Sequence, residues 1–194
     1  MRYYPLFVDL KDKICCVVGG GTVAERKVKV LLKCLARVTV VSFRFTAGLK
    51  KLHKEKKIVC RYSGYTSNFL RSVFLVVAAT DNRLVNSKVS SDCRKRGILV
   101  NVVDVPQESN FIVPSFIQKN GLIIAISTSG QAPGLAKKVR QDLTKNFLPR
   151  YGDLLKELFL VREKLRVSCS KFSERKAVLQ RVINSKFSCK AGSG

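Results

Sequence analysis

The stretch Ile14-Cys15-Cys16-Val17-Val18-Gly19-Gly20-Gly21-Thr22-Val23-Ala24-Glu25-Arg26-Lys27 decides the fold. Five apolar residues run without a break into three glycines, and the glycines open a helical pattern in which Val23, Val28, Leu31, Leu32 and Leu35 recur. Strand, glycine turn and helix in that order, with G-x-G-x-x-A spacing, form the context that a dinucleotide-binding turn requires. Gly19 permits the tight turn, Gly21 lets the backbone approach a pyrophosphate, and Ala24 lets helix and sheet pack closely. The phosphates then rest on the helix N-terminus, where unpaired amides and the dipole favour anions. Gly19, Gly20 and Gly21 are therefore candidate cofactor-binding residues. Glycines also make plain turns, and it is the position between strand and helix that favours a cofactor here.

Around this stretch, short apolar runs alternate with helical patterns, the signature of repeated βαβ units and a parallel sheet. The runs are Ile14–Val18, Val38–Val41, Val73–Ala78 and Ile98–Val103, with a weaker fifth at Ile58–Arg61. Their continuous apolar character suits strands covered on both faces. Further helices are expected near 46–55, 66–71 and 82–96. After Asp104 the pattern changes: Phe111–Gln118 and Leu122–Ser127 read as two strands joined by a Lys119-Asn120-Gly121 turn. Helical spacing then returns from Pro133 to about Phe147, from about Tyr151 to Val167, and in a polar stretch from about Ser173 to Ile183. The expected architecture is α/β: a Rossmann-like parallel sheet over 1–110, a hairpin and helix over 111–147 serving dimerisation and substrate, a helical region over 148–187, and a disordered tail over 188–194.

In open α/β sheets, ligands bind outside the carboxyl ends of the strands, so the residues that follow each strand are the site candidates. The second strand ends in Ser42-Phe43-Arg44, without the acidic residue that usually binds the adenosine ribose. Arg44 suits a 2′-phosphate or a plain surface position, which leaves NAD and NADP both open. The fourth run ends in Ala78-Ala79-Thr80-Asp81-Asn82, where Ala79 and Thr80 are placed to touch a cofactor and Thr80 or Asp81 to cap the next helix. Asn101-Val102-Val103-Asp104 closes the last parallel strand. Asp104 is the best-placed ionisable group: beside a nicotinamide, a carboxylate takes a proton as hydride leaves. It reads equally as a turn residue before Pro106. Ser127-Thr128-Ser129-Gly130, ahead of a helix begun by Pro133, offers a second anion site or simply an N-cap.

Composition narrows the classes. Of 194 residues, 46% are hydrophobic, which excludes a disordered or collagen-like chain. The formal charge is +24, and it is spread evenly, +13 over residues 1–110 and +11 over 111–194, so no basic tail accounts for it. Such a charge attracts polyanions and says nothing about fold. Seven cysteines, an odd number without C-x-x-C pairs, point to a reducing, cytosolic compartment where buried thiols act as small hydrophobes. No stretch reaches the roughly 18 apolar residues of a membrane span, and the N-terminus has no signal-peptide core, so a soluble, unprocessed chain is expected. With a single histidine, His53, in a basic stretch, and no carboxylate pair at ligand spacing, no permanent metal is expected.

Together these motifs resemble the precorrin-2 dehydrogenase/sirohydrochlorin ferrochelatase family, the dinucleotide-binding half of siroheme synthase. The resemblance runs over roughly residues 3–165 through Tyr4-Pro5-Leu6-Phe7, Val18–Lys27, Ala78–Asn82, Asn101–Asp104, Phe111-Ile112-Val113-Pro114-Ser115 and Ile126–Gly130. It implies NAD-dependent oxidation of precorrin-2 to sirohydrochlorin and, in some members, insertion of Fe²⁺ as substrate to give siroheme. Asp104 falls on the family's catalytic aspartate, which would also accept pyrrole protons and touch Fe²⁺ transiently during insertion. Thr22, Val23, Phe43 and Arg44 fall on cofactor-contact positions, which favours NAD. Thr128 falls in the family's substrate groove, with Asn101, Ser127, Ser129 and Gly130 beside it as substrate-binding candidates. The resemblance further implies a homodimer built through the region after the sheet. Ala132 departs from the serine frequent before the family's proline, these 194 residues are expected to lack a methyltransferase half, and the segment after about Val167 is expected to have no counterpart in the family.

Two other readings compete with the enzyme. One is a dinucleotide-sensing module whose basic surface binds nucleic acid or a partner; the chain has no recognised nucleic-acid motif, and few basic residues interleave with aromatics. The other keeps the fold but assigns chelation or tetrapyrrole delivery without oxidation.

Overall fold

The structure, a computed structural model, describes residues 3–187. The apolar runs form β1 (Ile14–Val18), β2 (Arg37–Ser42), β3 (Ile58–Tyr62), β4 (Leu75–Ala78) and β5 (Leu99–Val102). All pair in parallel, in the order β3-β2-β1-β4-β5. The chain fills one side of β1 and then crosses to the other, so the glycine turn after β1 lies at the point where strand order reverses.

Alternation along β1 explains its apolar run. Cys15 and Val17 face a core shared with Ala24, Val28 and Leu31 of α1 (Thr22–Lys33) and Leu49 of α2 (Ala47–Lys54). Cys16 and Val18 face a second core with Val89 and Cys93 of α3 (Arg83–Lys95). Both faces of the sheet are thus covered. On the α3 side of the sheet, Thr39 and Arg61 line an open groove of about 480 Å³ with Ile14, Asn68, Phe69, Arg71 and Val73. It lies among β1, β2 and β3 rather than at the strand ends that bear Asp104.

Three expectations shift at their edges. The helix expected over 66–71 is a single 3-10 turn, Ser67–Leu70, stopped by Ser72 in a left-handed conformation with φ 58°. The fourth strand starts at Leu75 rather than Val73, although the Phe74 amide already bonds Ile14 O at 2.8 Å. The strand expected from Phe111 begins only at Ser115, because Ser109 and Asn110 are committed to β5 and Pro114 has no N–H to give a ladder.

That commitment closes the free edge of β5. Asn110 Oδ1 accepts from the Val100 amide at 2.7 Å, and its Nδ2 donates to Ile98 O at 2.9 Å, so one side chain occupies the place of a neighbouring strand. The buried Ser109 hydroxyl accepts from the Val102 amide at 2.9 Å and reaches Val105 O at 3.1 Å.

The chain divides into two compact units between Val113 and Pro114. In the second, β6 (Ser115–Lys119) and β7 (Leu122–Ile126) form an antiparallel hairpin. Its two central residues, Asn120 and Gly121, have φ 49° and 88°, the left-handed pair that matches hairpin twist. Helices α4 (Pro133–Asn146), α5 (Leu148–Ser168) and α6 (Phe172–Phe187) follow. Asn120 Nδ2 donates to Gly152 O at 3.2 Å and Lys119 pairs with Asp153 at 2.9 Å, which fastens the hairpin turn to α5. The tail expected to be disordered lies outside the described residues. Among those described, no helix is long and apolar enough to cross a membrane.

Cys15, Cys16, Cys60 and Cys93 are free and buried. Burial pushes Cys15 up to about 11, and Cys16 and Cys93 up to about 12. They are packing groups rather than nucleophiles.

Two outcomes follow. Ser109→Ala leaves the buried Val102 amide without its acceptor and should destabilise the first unit by about 1–3 kcal/mol in urea unfolding. The raised thiols make the folded chain hold protons that the unfolded chain releases. Their contribution is therefore complete below the ordinary thiol value of about 9 and declines as pH rises toward 11–12. A Cys16→Ala/Cys93→Ala variant should show a shallower fall in unfolding free energy between pH 9 and 11 than the parent chain; equal slopes would remove the thiols from the alkaline response.

Candidate active site

The three glycines do different work. Gly19 has φ +122°, and a Cβ there would lie 2.3 Å from Ala79 O; one on Gly20 would lie 1.9 Å from Arg44 O. Backbone bonds complete this junction: Gly19 N to Val41 O at 2.9 Å, Thr46 N to Gly20 O at 3.0 Å, and Ala79 N to Val18 O at 2.8 Å. Gly19 and Gly20 thus join the ends of β1, β2 and β4. Gly21 differs, since a Cβ there meets nothing within 4 Å. It precedes α1 with φ −83°, and no side-chain cap takes up the amides at the start of the helix. A dinucleotide pyrophosphate fits this arrangement, with Ala24 fully buried beneath it as the spacing requires.

The loop after β4 is held from inside. Thr80 Oγ1 donates to Asn86 Oδ1 at 2.7 Å and accepts from the Asn82 amide at 3.2 Å, while Asn86 Nδ2 donates to Thr80 O at 2.9 Å. The N-cap of α3 is Asn82, whose side chain accepts from Val85 N at 3.1 Å, not Thr80 or Asp81. Asn86, only 6% exposed, was missed from the sequence. Its signal was there: it lies on the same helical stripe as Val89 and Cys93. At the end of β2, Phe43 and Arg44 are exposed and Ser42 Oγ accepts from the Arg44 amide at 3.4 Å.

Asp104 follows β5 in a left-handed conformation, φ 61°, with its side chain exposed. The turn is closed by Val105 N to Val102 O at 3.2 Å and clamped by Ser109, whose hydroxyl bonds both of those residues. An aspartate tolerates this region better than most residues, at a cost of about 1 kcal/mol or more. Asn101 Nδ2 donates to Phe111 O at 3.2 Å, so this amide orders the chain leaving the sheet. Lys27 is half-buried in α1; burial and the neighbouring Arg26 push its amine down, and the charge of Asp104 pulls it up.

The second unit presents Ser127-Thr128-Ser129-Gly130 as a tight loop, with Ser129 at φ 55° and Gly130 at φ 84°. The Ser129 amide donates to Ser127 Oγ at 3.0 Å, and Thr128 Oγ1 accepts from Ala132 N at 3.1 Å. Ala132 itself precedes α4 without a side-chain cap, and Pro133 opens the helix. Two groups of candidates therefore form within their own units: the glycine turn with Thr80, Asn101 and Asp104 in the first, and Ser127–Gly130 in the second. Among the described residues no group of three metal-ligating side chains exists.

Comparison with known proteins agrees with this geometry. The NAD(P)-binding family model matches residues 6–115, and the model for the central region of sirohaem biosynthesis proteins matches 120–146. Among curated relatives, siroheme synthase of Vesicomyosocius okutanii is 33% identical over 194 residues, covering 100% of this chain and 42% of the relative, so the segment after Val167, expected to have no counterpart, is matched as well. Siroheme synthase of Saccharophagus degradans is 42% identical over 154 residues, 79% of this chain and 34% of the relative. The chain thus spans about two fifths of the length of the first of these relatives. Among solved structures, SirC, precorrin-2 dehydrogenase, superposes with a TM-score of 0.83 at 28% identity, covering 93% of this chain and 89% of that one. With one model covering more than half of its length and the second following directly, the chain belongs to the NAD(P)-binding family found in siroheme biosynthesis proteins.

Proposed function

We propose that the chain binds NAD across the Gly19–Gly21 turn and oxidises precorrin-2 to sirohydrochlorin, with Asp104 as the base. The observation that supports this most directly is the solvent-facing carboxylate of Asp104, held in a left-handed turn at the carboxyl edge of the sheet whose other strand ends form the cofactor turn. Similarity along 93% of the chain to a protein named precorrin-2 dehydrogenase supports the same reading.

Oxidation removes two electrons and two protons from the macrocycle. Bound NAD supplies the hydride acceptor. The amides of Gly21, Thr22 and Val23 hold the pyrophosphate, Gly19 and Gly20 shape the turn, and Ala79, Thr80 and Phe43 flank the cofactor. Asp104 takes the remaining proton and passes it to solvent, for which its exposure suits it. Ser109 fixes the backbone on both sides of Asp104, and Asn86 fixes Thr80. NAD is preferred over NADP: the ribose is held by backbone groups near Ser42, and the exposed Arg44 serves the adenine side. Precorrin-2 carries eight carboxylates, which a basic crevice binds by charge-assisted hydrogen bonds. Asn101 in the first unit and Ser127, Thr128, Ser129 and Gly130 in the second are the proposed substrate-binding residues. Insertion of Fe²⁺ as a second substrate follows the same base, with Asp104 receiving pyrrole protons.

We further read the chain as a cytosolic homodimer joined through its second unit. Ile123, Leu135, Phe159, Leu160 and Phe172 are exposed there, more apolar surface than a unit with so few buried side chains leaves unpartnered without reason.

Asp104→Ala should keep the fold and the NAD affinity while abolishing anaerobic formation of NADH and sirohydrochlorin from precorrin-2; near-normal turnover would remove Asp104 from the chemistry. Gly21→Asp separates binding from stability. Its side chain meets open space and supplies a missing N-cap, so stability should hold or rise by a few tenths of a kcal/mol. Its carboxylate faces the pyrophosphate, so Kd for NAD measured by calorimetry should rise at least about tenfold.

A further inference from the structure

We infer that Lys27 is a substrate-binding residue: its ammonium, set beside Asp104 on the inner flank of α1, holds a carboxylate at the rim of the macrocycle while Asp104 faces the reacting carbon. The inference rests on the dehydrogenase reading and assigns it a specificity-determining residue.

Helix geometry fixes the direction in which Lys27 points. Successive residues of an α-helix turn by about 100°, so Glu25 and Lys27 lie about 160° apart around the axis. Glu25 looks toward α2: its carboxylate accepts from Thr46 Oγ1 at 2.5 Å and lies against Gly48. Since α2 packs on β3, at one end of the sheet, the Lys27 flank looks the other way, toward β4 and β5. The buried face of α1, Ala24, Val28 and Leu31, belongs to a core that runs from Leu49 of α2 and Ile58 of β3 across to Leu75 and Val77 of β4, with Leu99 and Val103 packed against it, and Lys27 lies on the flank of that face away from Glu25. Asp104 follows Val103 in the chain, and its charge reaches the Lys27 amine.

The Lys27 amine is half-buried and pays for that burial in lost hydration, yet it enters none of the hydrogen bonds and ion pairs formed among the described residues. Its neighbour Glu25 is engaged with Lys29 and Thr46, and no ion pair joins Lys27 to Asp104, whose charge it nevertheless feels. A partly desolvated cation without a contact partner is a poor structural element and a good anchor for an incoming anion. The charge of Asp104 partly offsets the effect of burial and of Arg26, which push the amine down. A carboxylate-rich substrate that presents one arm to Lys27 therefore brings its ring edge to the base.

The test uses the full chain with Lys27→Met, which keeps the aliphatic stem, and Lys27→Arg, which keeps the charge. The expected result for Lys27→Met is a KM for precorrin-2 raised at least tenfold, with Kd for NAD within twofold of the parent and an unaltered melting temperature. Lys27→Arg should recover most of the loss. An unchanged KM in Lys27→Met overturns the inference, and so does a rise in Kd for NAD of similar size, which would make Lys27 a cofactor residue. Sirohydrochlorin, which retains the carboxylates, supplies a readout independent of turnover. If the parent chain binds it without oxidising precorrin-2, the dehydrogenase reading fails while tenfold weaker binding by Lys27→Met still supports the anchor; equal binding overturns it. A parent chain that does neither overturns both.

Discussion

The site depends on two side chains that are absent. Gly19 and Gly20 let the backbone after β1 approach Ala79 and Arg44 more closely than any Cβ permits, since a Cβ at either position would lie only 2.3 or 1.9 Å from the nearest oxygen. That contact fuses the carboxyl ends of three neighbouring strands, so the loops after β1, β2 and β4 share one set of hydrogen bonds. With the junction fixed, Gly21 and the start of α1 have no structural task left. Their amides stay open, which is the condition for binding phosphate by backbone alone. Packing at two glycines thereby creates vacancy at the third.

A similar division governs the far end of the sheet. β5 is an edge strand, and exposed edges invite wrong pairing. Here Asn110 and Ser109 cover the edge with side chains instead of a further strand. Because Ser109 bonds residues on both sides of Asp104, protection of the edge and placement of the base are one interaction. The left-handed backbone of Asp104 is tolerable because these bonds over-determine it, and it turns the carboxylate toward solvent rather than into the core.

The sheet and its glycine turn were legible in the sequence because both depend on local rules: uninterrupted apolar runs, helical spacing and residues without a Cβ. The position of Asp104 followed from one topological rule about strand ends. Asn86, Ser109 and Asn110 were not legible, since alternation and periodicity mark which residues are apolar, not which polar side chains are drawn inside to pair with backbone. Asn86 had a faint signal as a polar residue on an apolar stripe; Ser109 had none, because its partners Val102 and Val105 are backbone groups that any sequence would offer. The strand expected from Phe111 starts late for the same reason, as Ser109 and Asn110 just before it are committed to the edge of β5 and Phe111 O accepts from Asn101.

The charge of +24 exceeds what any substrate of this site needs, and distance decides which part of it matters. At physiological salt an exposed charge is screened over about 8 Å, so exposed lysines and arginines farther than that from a bound anion act on its approach and not on its final binding. Lys27 is in another regime. Partly removed from water, repelled by Arg26 and attracted by Asp104, it acts at short range where screening by salt is weak. A polycarboxylate would thus be gathered by the whole surface and oriented by one half-buried amine. Dependence on salt would then appear in the rate of encounter, while the choice of which ring edge meets Asp104 would not change with ionic strength.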